Sequence, residues 1–355
     1  MNVNITATEL LNWYDLNFRQ MPWRTPPGDR KQGFLPDPYQ IWLSEIMLQQ
    51  TTVKTVEAYF KKFLLKWPTI TDLASAEDSE VMAAWAGLGY YARARNLLKS
   101  ARILVTDYQG VFPKNIEELQ KLPGIGPYTS AAIAAISFDL SATVMDGNVE
   151  RVISRIHAIK KPLPESKPLL FQKAKILTPT DRAGDYAQAI MDLGATICTP
   201  RKPKCDSCPW THGCLGRAKG IAQKLPIKIP KKQKVSRYGV VYVVKREDGA
   251  WLLERRVNKG LLGGMLGWPG SEWSEVPYEK PPLDANWTTS HSIVHHIFTH
   301  FHLYLTVKIA TASQKQQPKI GKFIGNNKFN KSDLPTVMRK VFEVAYNELK
   351  NTPPL

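Results

Sequence analysis

The sequence predicts an all-helical domain followed by a smaller mixed α/β domain. Up to about residue 220, apolar residues recur every three or four positions, as in SEVMAAWAGLGYYARARNLLKSARILVTDY, and Gly and Pro separate the runs. From residue 237, the stretch RYGVVYVVKREDGAWLLERR alternates and is rich in Val and Tyr, which indicates two strands joined by a turn at EDG. A chain of 355 residues that is 43% hydrophobic can form packed cores for two or three domains.

A basic linker is predicted at residues 221–235, between a first domain of residues 1–220 and a second of residues 236–355. No Asp or Glu occurs between Ser207 and Arg246, whereas ten Lys and Arg do. Such a segment fits an exposed tether as well as a segment that follows phosphates. In the second domain, SIVHHIF and FHLYLTVKIA are further strand candidates, and LPTVMRKVFEVAYNELK is typical of a closing amphipathic helix.

The charge of the chain favours a polyanionic partner. It carries 48 Lys and Arg against 31 Asp and Glu, a formal net charge of +17 with a pI near 9.6. A merely basic protein is the alternative interpretation. No apolar run approaches the ~20 residues that cross a membrane, and the N-terminal stretch lacks the features of an export signal.

The motif LPGIGPYTSAAIAAI places Gly124 and Gly126 in a tight turn that opens a helix of small residues. A turn of this kind directs backbone N–H groups outward at a helix N-terminus, where the helix dipole stabilises a phosphate. Taken alone, Gly-x-Gly more often marks an ordinary corner between two helices. The basic charge and the cysteine cluster that follows favour a helix-hairpin-helix that binds DNA.

Two carboxylates are candidates for chemistry. On a helical wheel Glu45 falls between Ile41 and Leu48 on one side and Trp42 on the other, so burial should raise its pKa and keep it protonated near neutral pH. A Glu satisfied by an Arg or a helix N-terminus is the alternative. Asp146 precedes Gly in VMDGNVERVISRI, where Asp usually only caps a helix. Together they supply the acid and the ionised carboxylate that cleavage of a glycosidic bond requires.

All four cysteines lie in CTPRKPKCDSCPWTHGC, with the spacing Cys-x6-Cys-x2-Cys-x5-Cys. A disulfide framework spreads cysteines over a small secreted fold, so clustered thiols indicate a metal site instead. Zinc is the common occupant of four-cysteine sites, and an iron–sulfur cluster is the other possibility; the spacing leaves both open. The candidate ligands are Cys198, Cys205, Cys208 and Cys214.

Six stretches together resemble the MutY family of adenine DNA glycosylases: SEIMLQQT, GLGYYARARN, LPGIGPYTSAAI, DGNVERV, YAQAIMDLGATIC and the cysteine loop. The resemblance implies a mainly α helix-hairpin-helix glycosylase domain over residues 1–220 and a C-terminal α+β Nudix-like domain that recognises the lesion. It implies a base-excision repair enzyme that flips adenine mispaired with 8-oxoguanine, or with guanine, and hydrolyses its glycosidic bond. No Nudix catalytic box of clustered glutamates is present, so we expect no pyrophosphohydrolase activity.

The resemblance also implies roles for individual residues. The loop 198–214 would hold a [4Fe–4S] cluster on the four cysteines, mainly as a structural element. Glu45 would protonate adenine N7 and later activate water, while Asp146 stabilises the sugar cation or forms a transient adduct, assisted by Tyr128 and Asn148. The adenine pocket would contain Trp23, Arg24 and Gln188. The residues implied to contact DNA or the lesion are Gln50, Thr51, Leu88, Tyr90, Gly124, Gly126, Phe298, Thr299 and His300.

The sequence departs from the family pattern in two places. Residues 25–38 make an unusually long link between PWR and the helix of Glu45, which bears on the placement of Arg24. In the motif FTH, Thr299 stands where the family usually has Ser, so the hydroxyl is kept and a methyl group is added.

Two rival functions remain to be weighed. A bifunctional glycosylase/lyase resembling endonuclease III forms a Schiff base through a Lys, and this sequence has Tyr128 at that position. A non-catalytic DNA-binding module with a redox cluster has no use for Glu45 together with Asp146. We therefore expect a monofunctional, monomeric glycosylase that acts on duplex DNA, in a bacterial cytoplasm and away from membranes.

Overall fold

The computed structural model describes residues 3–229, 233–257 and 260–351. Within these residues the chain forms two compact units, one of residues 3–75 and 99–229 and another of residues 76–98, 233–257 and 260–351. The first unit is built of helices, and the second combines a β-sheet with helices. The predicted fold class, a helical domain followed by a mixed one, is confirmed.

The helices up to residue 220 have the following bounds. In chain order they are α1 (Ala7–Asn17), α2 (Pro27–Lys31), α3 (Pro38–Leu48), α4 (Val53–Lys66), α5 (Ile70–Ser75), α6 (Asp78–Trp85), α7 (Ala92–Tyr108), α8 (Ile116–Lys121), α9 (Pro127–Phe138), α10 (Gly147–Ile156), α11 (Lys167–Leu177), α12 (Ala183–Asp192) and α13 (Leu215–Ala218). None of the helices in the described residues is long and apolar enough to cross a membrane.

Three buried helices, α3, α9 and α12, form the centre of the first unit. Helix α3 begins at Pro38, where Asp37 caps it by accepting a hydrogen bond from the Tyr39 N–H at 2.9 Å. Helix α9 is buried from Thr129 to Ser137, and its small residues let α3 and α12 pack closely against it. Every residue of α12 is buried. Side chains on these helices are therefore held in fixed positions.

The second unit contains a sheet with the strand order β3-β2-β1-β5-β4, and β6 pairs with β2. Its strands are β1 (Val235–Arg246), β2 (Trp251–Arg255), β3 (Leu266–Gly267), β4 (Thr288–Ile297), β5 (Phe301–Ala312) and β6 (Lys322–Ile324), and α14 (Thr336–Asn351) follows. The hairpin expected at EDG joins the antiparallel strands β1 and β2, and the two further strands and the closing helix form where the sequence predicts them. Strands β1 and β5 are parallel.

Two segments differ from the predicted organisation. Residues 76–98 lie in the predicted helical domain but belong to the second unit, where α6 packs against the turn Lys331–Asp333 and the Arg95 guanidinium donates to the Gly263 carbonyl. The predicted linker is anchored rather than free in its first part, because Leu225 is buried and its carbonyl accepts a hydrogen bond from Arg155 at 3.0 Å. Residues 230–232 of the linker lie outside the described residues.

Candidate active site

A cleft of about 640 Å³ opens in the first unit and is lined by side chains from α3, α9 and α12 and from the start of α10. Residues far apart in sequence meet in it. Nine of the residues implied by the family resemblance line this cleft: Trp23, Arg24, Glu45, Gln50, Thr51, Tyr128, Asp146, Asn148 and Gln188. A volume of this size is in the range of pockets that enclose a small organic ligand.

Glu45 lies on α3 with 6% of its surface exposed. Burial raises the pKa of its carboxyl to about 7, the negative charge of Asp146 adds to the rise, and a hydrogen bond from Tyr128 and the charge of Arg24 oppose it. The burial that the apolar arc predicts is thus observed. At this pKa the carboxyl can both donate and accept a proton near neutral pH.

Asp146 is the N-cap of α10. Its carboxylate accepts hydrogen bonds from the backbone N–H groups of Asn148 and Val149, at 2.9 and 2.8 Å, and from the Asn148 side-chain amide at 2.9 Å. Burial raises the pKa of the Asp146 carboxyl, while these three hydrogen bonds favour the charged form and limit the rise. The cleft therefore holds two carboxyls in different environments, a desolvated Glu45 and a hydrogen-bonded Asp146.

Tyr128 and Asn148 complete this part of the cleft. Burial raises the pKa of the Tyr128 phenol well above its ordinary value, so it stays neutral, and its hydroxyl lies 3.1 Å from the Met191 Sδ. The Asn148 side-chain oxygen accepts a hydrogen bond from Arg151 at 2.8 Å, and Arg151 also donates to the Cys198 carbonyl at 2.8 Å. These contacts connect the cap of α10 to the cysteine loop.

The residues expected in the adenine pocket are buried at the wall of the cleft. Trp23 is 5% exposed and packs edge-on against Phe60, and the Gln188 amide donates to the Gly184 carbonyl at 3.3 Å. Arg24 is engaged by a residue that sequence reasoning missed, Asp192, through two hydrogen bonds of 2.7 and 3.0 Å. A carboxylate amid the apolar residues of YAQAIMDLGATIC was the available signal, the same one that identified Glu45.

The hairpin glycines lie where a turn requires them. Gly124 has φ +82°, a left-handed conformation that costs little only in glycine, and Gly126 is the residue from which α9 begins. The turn thus presents the N-terminus of α9, as the sequence predicts. The first turn of this helix carries Tyr128.

The four cysteines surround one small space lined by apolar side chains, among them Val152, Ile156 and Leu193. All four are free, and burial raises the pKa of the Cys208 thiol to about 12, so a thiolate there needs a cationic partner. Among the described residues, no three His, Cys, Asp or Glu side chains are placed to hold a single metal ion. Four soft sulfur ligands around a dry space fit a larger sulfur-bridged group.

The second unit brings together another set of predicted residues. Tyr90 is 46% exposed, has φ +49°, and its hydroxyl lies 3.1 Å from the Thr299 hydroxyl, 209 positions later in the chain. Phe298 stacks on Trp273 with ring centroids 5.6 Å apart, while His300 is exposed. Leu88 is only 6% exposed, so its side chain is not presented to solvent as a wedge would be.

Comparisons with known families match three parts of the chain. Residues 43–177 match the HhH-GPD superfamily of base excision DNA repair proteins, and residues 198–214 match the iron–sulfur binding domain of endonuclease III. Residues 240–344 match the NUDIX domain. These matches confirm the helix-hairpin-helix fold, the iron–sulfur loop and the Nudix-like second domain.

Several known proteins are similar to the chain, two of them over nearly all of its length. The adenine DNA glycosylase of Buchnera aphidicola (subspecies Schizaphis graminum) is 32% identical, over 97% of this chain and 99% of the relative. The human adenine DNA glycosylase is 33% identical, over 97% of this chain and 74% of the relative. Among solved structures, a thermostable thymine-DNA glycosylase is 31% identical with a TM-score of 0.53, over 60% of this chain and 95% of its own. A trapped endonuclease III–DNA covalent intermediate is 23% identical with a TM-score of 0.50, a likeness of fold alone.

Proposed function

This chain is a member of the adenine DNA glycosylase family, and we propose on that premise that it excises adenine mispaired with 8-oxoguanine or guanine from duplex DNA. Its membership makes it a DNA glycosylase of base excision repair. The proposal that the chain excises mispaired adenine depends mainly on one observation. The same cleft is lined by Glu45, with a pKa of about 7, and by the hydrogen-bonded carboxylate of Asp146.

Glu45 acts first as an acid and then as a base. In its protonated form it donates to N7 of the flipped adenine, and the bond between C1′ of the sugar and N9 breaks with its electron pair leaving on the base. The Glu45 carboxylate that remains accepts a proton from the water that attacks C1′. A pKa near neutral pH suits both transfers, because neither form of the carboxyl is then strongly disfavoured.

Asp146 supports the same step through its charge. Positive charge develops on the sugar ring as the C1′–N9 bond breaks, and a fixed carboxylate stabilises it at little cost in reorganisation. The three hydrogen bonds that hold this side chain at the start of α10 keep it in place. A transient bond between an Asp146 oxygen and C1′ is compatible with the same position.

The wall of the cleft fits an extruded purine. Trp23 and Gln188 offer an aromatic surface and an amide, and the amide oxygen can accept a hydrogen bond from the N6 amino group of adenine while N7 is left to Glu45. Gln50 and Thr51 follow the end of α3, where Gln50 has φ +60°, and would fill the gap left when the base is flipped. No lysine is among the cleft residues in the described part of the chain, which favours hydrolysis without strand cleavage, because a lyase step needs an amine.

The second unit would read the base opposite adenine. The hydroxyls of Tyr90 and Thr299, beside the ring of Phe298 and the exposed His300, offer a donor and an acceptor. 8-oxoguanine differs from guanine by a carbonyl at C8 and a hydrogen at N7. A hydroxyl donor can bind the C8 carbonyl and an acceptor can bind the N7 hydrogen, so the two hydroxyls can distinguish 8-oxoguanine from guanine.

Cys198, Cys205, Cys208 and Cys214 would hold the iron–sulfur cluster, and we propose the [4Fe–4S] type because the resemblance to the MutY family implies it. When bound, the cluster supplies structural cross-links within the loop 198–214. The chain's own contribution is Arg155, buried beneath the loop, which donates to the Cys198 Sγ at 3.3 Å and to the Thr199 carbonyl at 2.7 Å. We further propose a monomer that works on DNA in a bacterial cytoplasm.

Single-turnover excision on duplexes with adenine opposite 8-oxoguanine, guanine or thymine tests the proposal. We expect adenine release that is fastest opposite 8-oxoguanine, and strand breaks only after base treatment. Glu45→Gln should bind the same duplex but lose about 100- to 10,000-fold in rate, the usual worth of a general acid. Equal rates on all three duplexes, or a Glu45→Gln rate within a few-fold of the parent, would overturn it.

A further inference from the structure

Arg24 and Asp192 form a buried ion pair at the wall of the cleft. The Arg24 Nη1 lies 2.7 Å from one carboxylate oxygen of Asp192, and Nη2 lies 3.0 Å from the other. The side chains are 7% and 0% exposed. Arg19 also contacts Asp192, through its Nε at 2.7 Å, and is itself 31% exposed. Burying such a pair costs about as much desolvation energy as the attraction returns, so stability alone is a weak reason for its presence.

The guanidinium of Arg24 has few donors left for a ligand. Besides its two bonds to Asp192, Nη1 donates to the Arg19 carbonyl at 3.3 Å. Its charge, however, reaches Glu45, which lines the same cleft. Burial raises the pKa of Glu45 and the charge of Arg24 lowers it; reciprocally, burial opposes the charged form of Arg24, while Asp192 foremost and Glu45 in addition favour it.

We propose that Arg24 and Asp192 act as a pair that sets how readily Glu45 holds its proton, with Asp192 moderating the positive charge that Arg24 presents to that carboxyl. Arg24 is then a positioning residue for a proton rather than a reader of adenine, and Asp192 is a functional residue although it touches no substrate. The inference rests on the proposed function in one respect, the assignment of Glu45 as the general acid.

The other groups around Glu45 are accounted for on each neighbouring element. From α9, Tyr128 is neutral and donates a hydrogen bond to Glu45; from the start of α10, Asp146 contributes a negative charge. From α1, Tyr14 is buried near Arg24 and Asp192, and burial raises its pKa above its ordinary value, so it carries no charge at neutral pH. Arg24 is thus the positive charge that opposes burial and Asp146 at Glu45, while Arg19, the other cation at the cleft, is paired with Asp192 and partly exposed to solvent.

The two members of the pair make opposite predictions for the pH dependence of excision. Protonated Glu45 is the active form, so the single-turnover rate falls as pH rises through its pKa. Arg24→Gln removes the positive charge that lowers the pKa of Glu45. We therefore expect the falling limb of the pH–rate profile, the range in which the rate decreases, to move to higher pH by about half a unit or more. Asp192→Asn leaves Arg24 uncompensated, and we expect the limb to move to lower pH. If Arg24 and Asp192 only supported the fold, both variants would excise adenine more slowly, but their falling limbs would not move in opposite directions.

Three further variants control the experiment. Arg24→Lys keeps a charge while losing the two-pronged geometry, so its limb should stay close to the parent's. Arg182→Gln removes one positive charge from a pair with Asp15 and Asp185 instead, and should leave the limb in place. If Asp192→Asn does not fold, the double variant Arg24→Gln/Asp192→Asn removes both charges, and its limb should lie below that of Arg24→Gln.

The outcomes separate this inference from the function on which it rests. If Glu45→Gln still excises adenine, the general acid is wrong and the proposed function fails. If Glu45→Gln is inactive but the limbs of Arg24→Gln and Asp192→Asn coincide or move together, the proposed function stands and the inference fails. A loss of affinity for adenine-containing duplex in Arg24→Gln, with no movement of the limb, would return Arg24 to a direct role in reading the base.

Discussion

Asp146 combines two tasks that usually belong to different residues. It caps α10 through backbone N–H groups at 2.8 and 2.9 Å, and it lines the cleft that contains Glu45. The sequence supports the first interpretation on its own, because Asp before Gly is common at helix starts. The structure adds that capping holds the carboxylate in one place. This suits the role proposed for Asp146, because a group that stabilises charge in the transition state does so best when it is fixed before the reaction begins.

Substitution at this position should separate the two tasks. Asn caps helices about as well as Asp, so Asp146→Asn should keep the melting temperature of the parent while losing about 100-fold or more in single-turnover excision, because the charge is gone. Asp146→Ala should lose excision and about 1 kcal/mol of unfolding free energy as well. Excision by Asp146→Asn within a few-fold of the parent would leave Glu45 as the sole carboxylate in the mechanism.

Single residues were predictable when their signal was local. The burial of Glu45 follows from its apolar neighbours on one helix, and the structure has this burial, which raises the pKa of the carboxyl. The pairing of Arg24 with Asp192 joins positions 168 residues apart, and no local pattern names the partner. Leu88, which the resemblance implies is in contact with DNA, is 6% exposed, and its burial depends on how the turn after α6 packs.

At the scale of elements, the buried side chain of Arg30 anchors the long segment 25–38 to the core. Arg30 on α2 is 3% exposed and donates to the Ile136 carbonyl at 2.7 Å and to Asp139 at 3.1 Å, and its Nε lies 3.0 Å from Asp185. These partners stand at the end of α9 and at the start of α12. The insertion therefore braces α9 and α12, two of the helices that line the cleft.

Gly184 lets Arg30 and the end of α9 pack against the start of α12, because it has no side chain. A Cβ at this position would lie 2.1 Å from the Arg30 Nη2 and 2.5 Å from the Ala135 carbonyl oxygen. Gly184→Ala should therefore cost about 1–3 kcal/mol of unfolding free energy, as overpacking of a filled core does. Gly28→Ala, in the same insertion and with no atom within 4 Å of the new Cβ, should change it by less than about 0.5 kcal/mol. Urea unfolding compares them, and equal midpoints would mean that the contact does not constrain α12.

Elements with a strong period were predicted well, and their partners were not. The alternating stretch after residue 237 forms β1 and β2 as expected, and these two strands, which are consecutive in the chain, are also paired in the sheet. The parallel pairing of β1 with β5 joins Val235 to Phe301, and nothing local to either strand encodes that register. The sequence does not predict that α6 belongs to the second unit, for the same reason. The periodicity of α6 predicts an apolar face, but it does not predict which element packs against that face.

For the whole molecule, the charge is the property that composition predicts most directly. A net charge of +17 favours phosphate contacts, and each contact releases counterions, so affinity for DNA should fall steeply and linearly with salt on logarithmic axes. The charge alone does not say where the contacts lie. The loop between Cys198 and Cys205 is one candidate, because Arg201, Lys202 and Lys204 are all exposed on it.

The contribution of that loop can be measured with a matched pair of variants. Lys202→Gln should reduce the magnitude of the salt slope by about 0.9 if Lys202 neutralises one phosphate, and should weaken binding equally for duplexes with and without 8-oxoguanine, since a phosphate contact carries no sequence information. Lys315→Gln removes the same charge from an exposed position beyond the end of β5, and its slope should match the parent's. Equal slopes for both variants would show that the loop acts through the overall charge, and a loss confined to the 8-oxoguanine duplex would assign it to recognition instead.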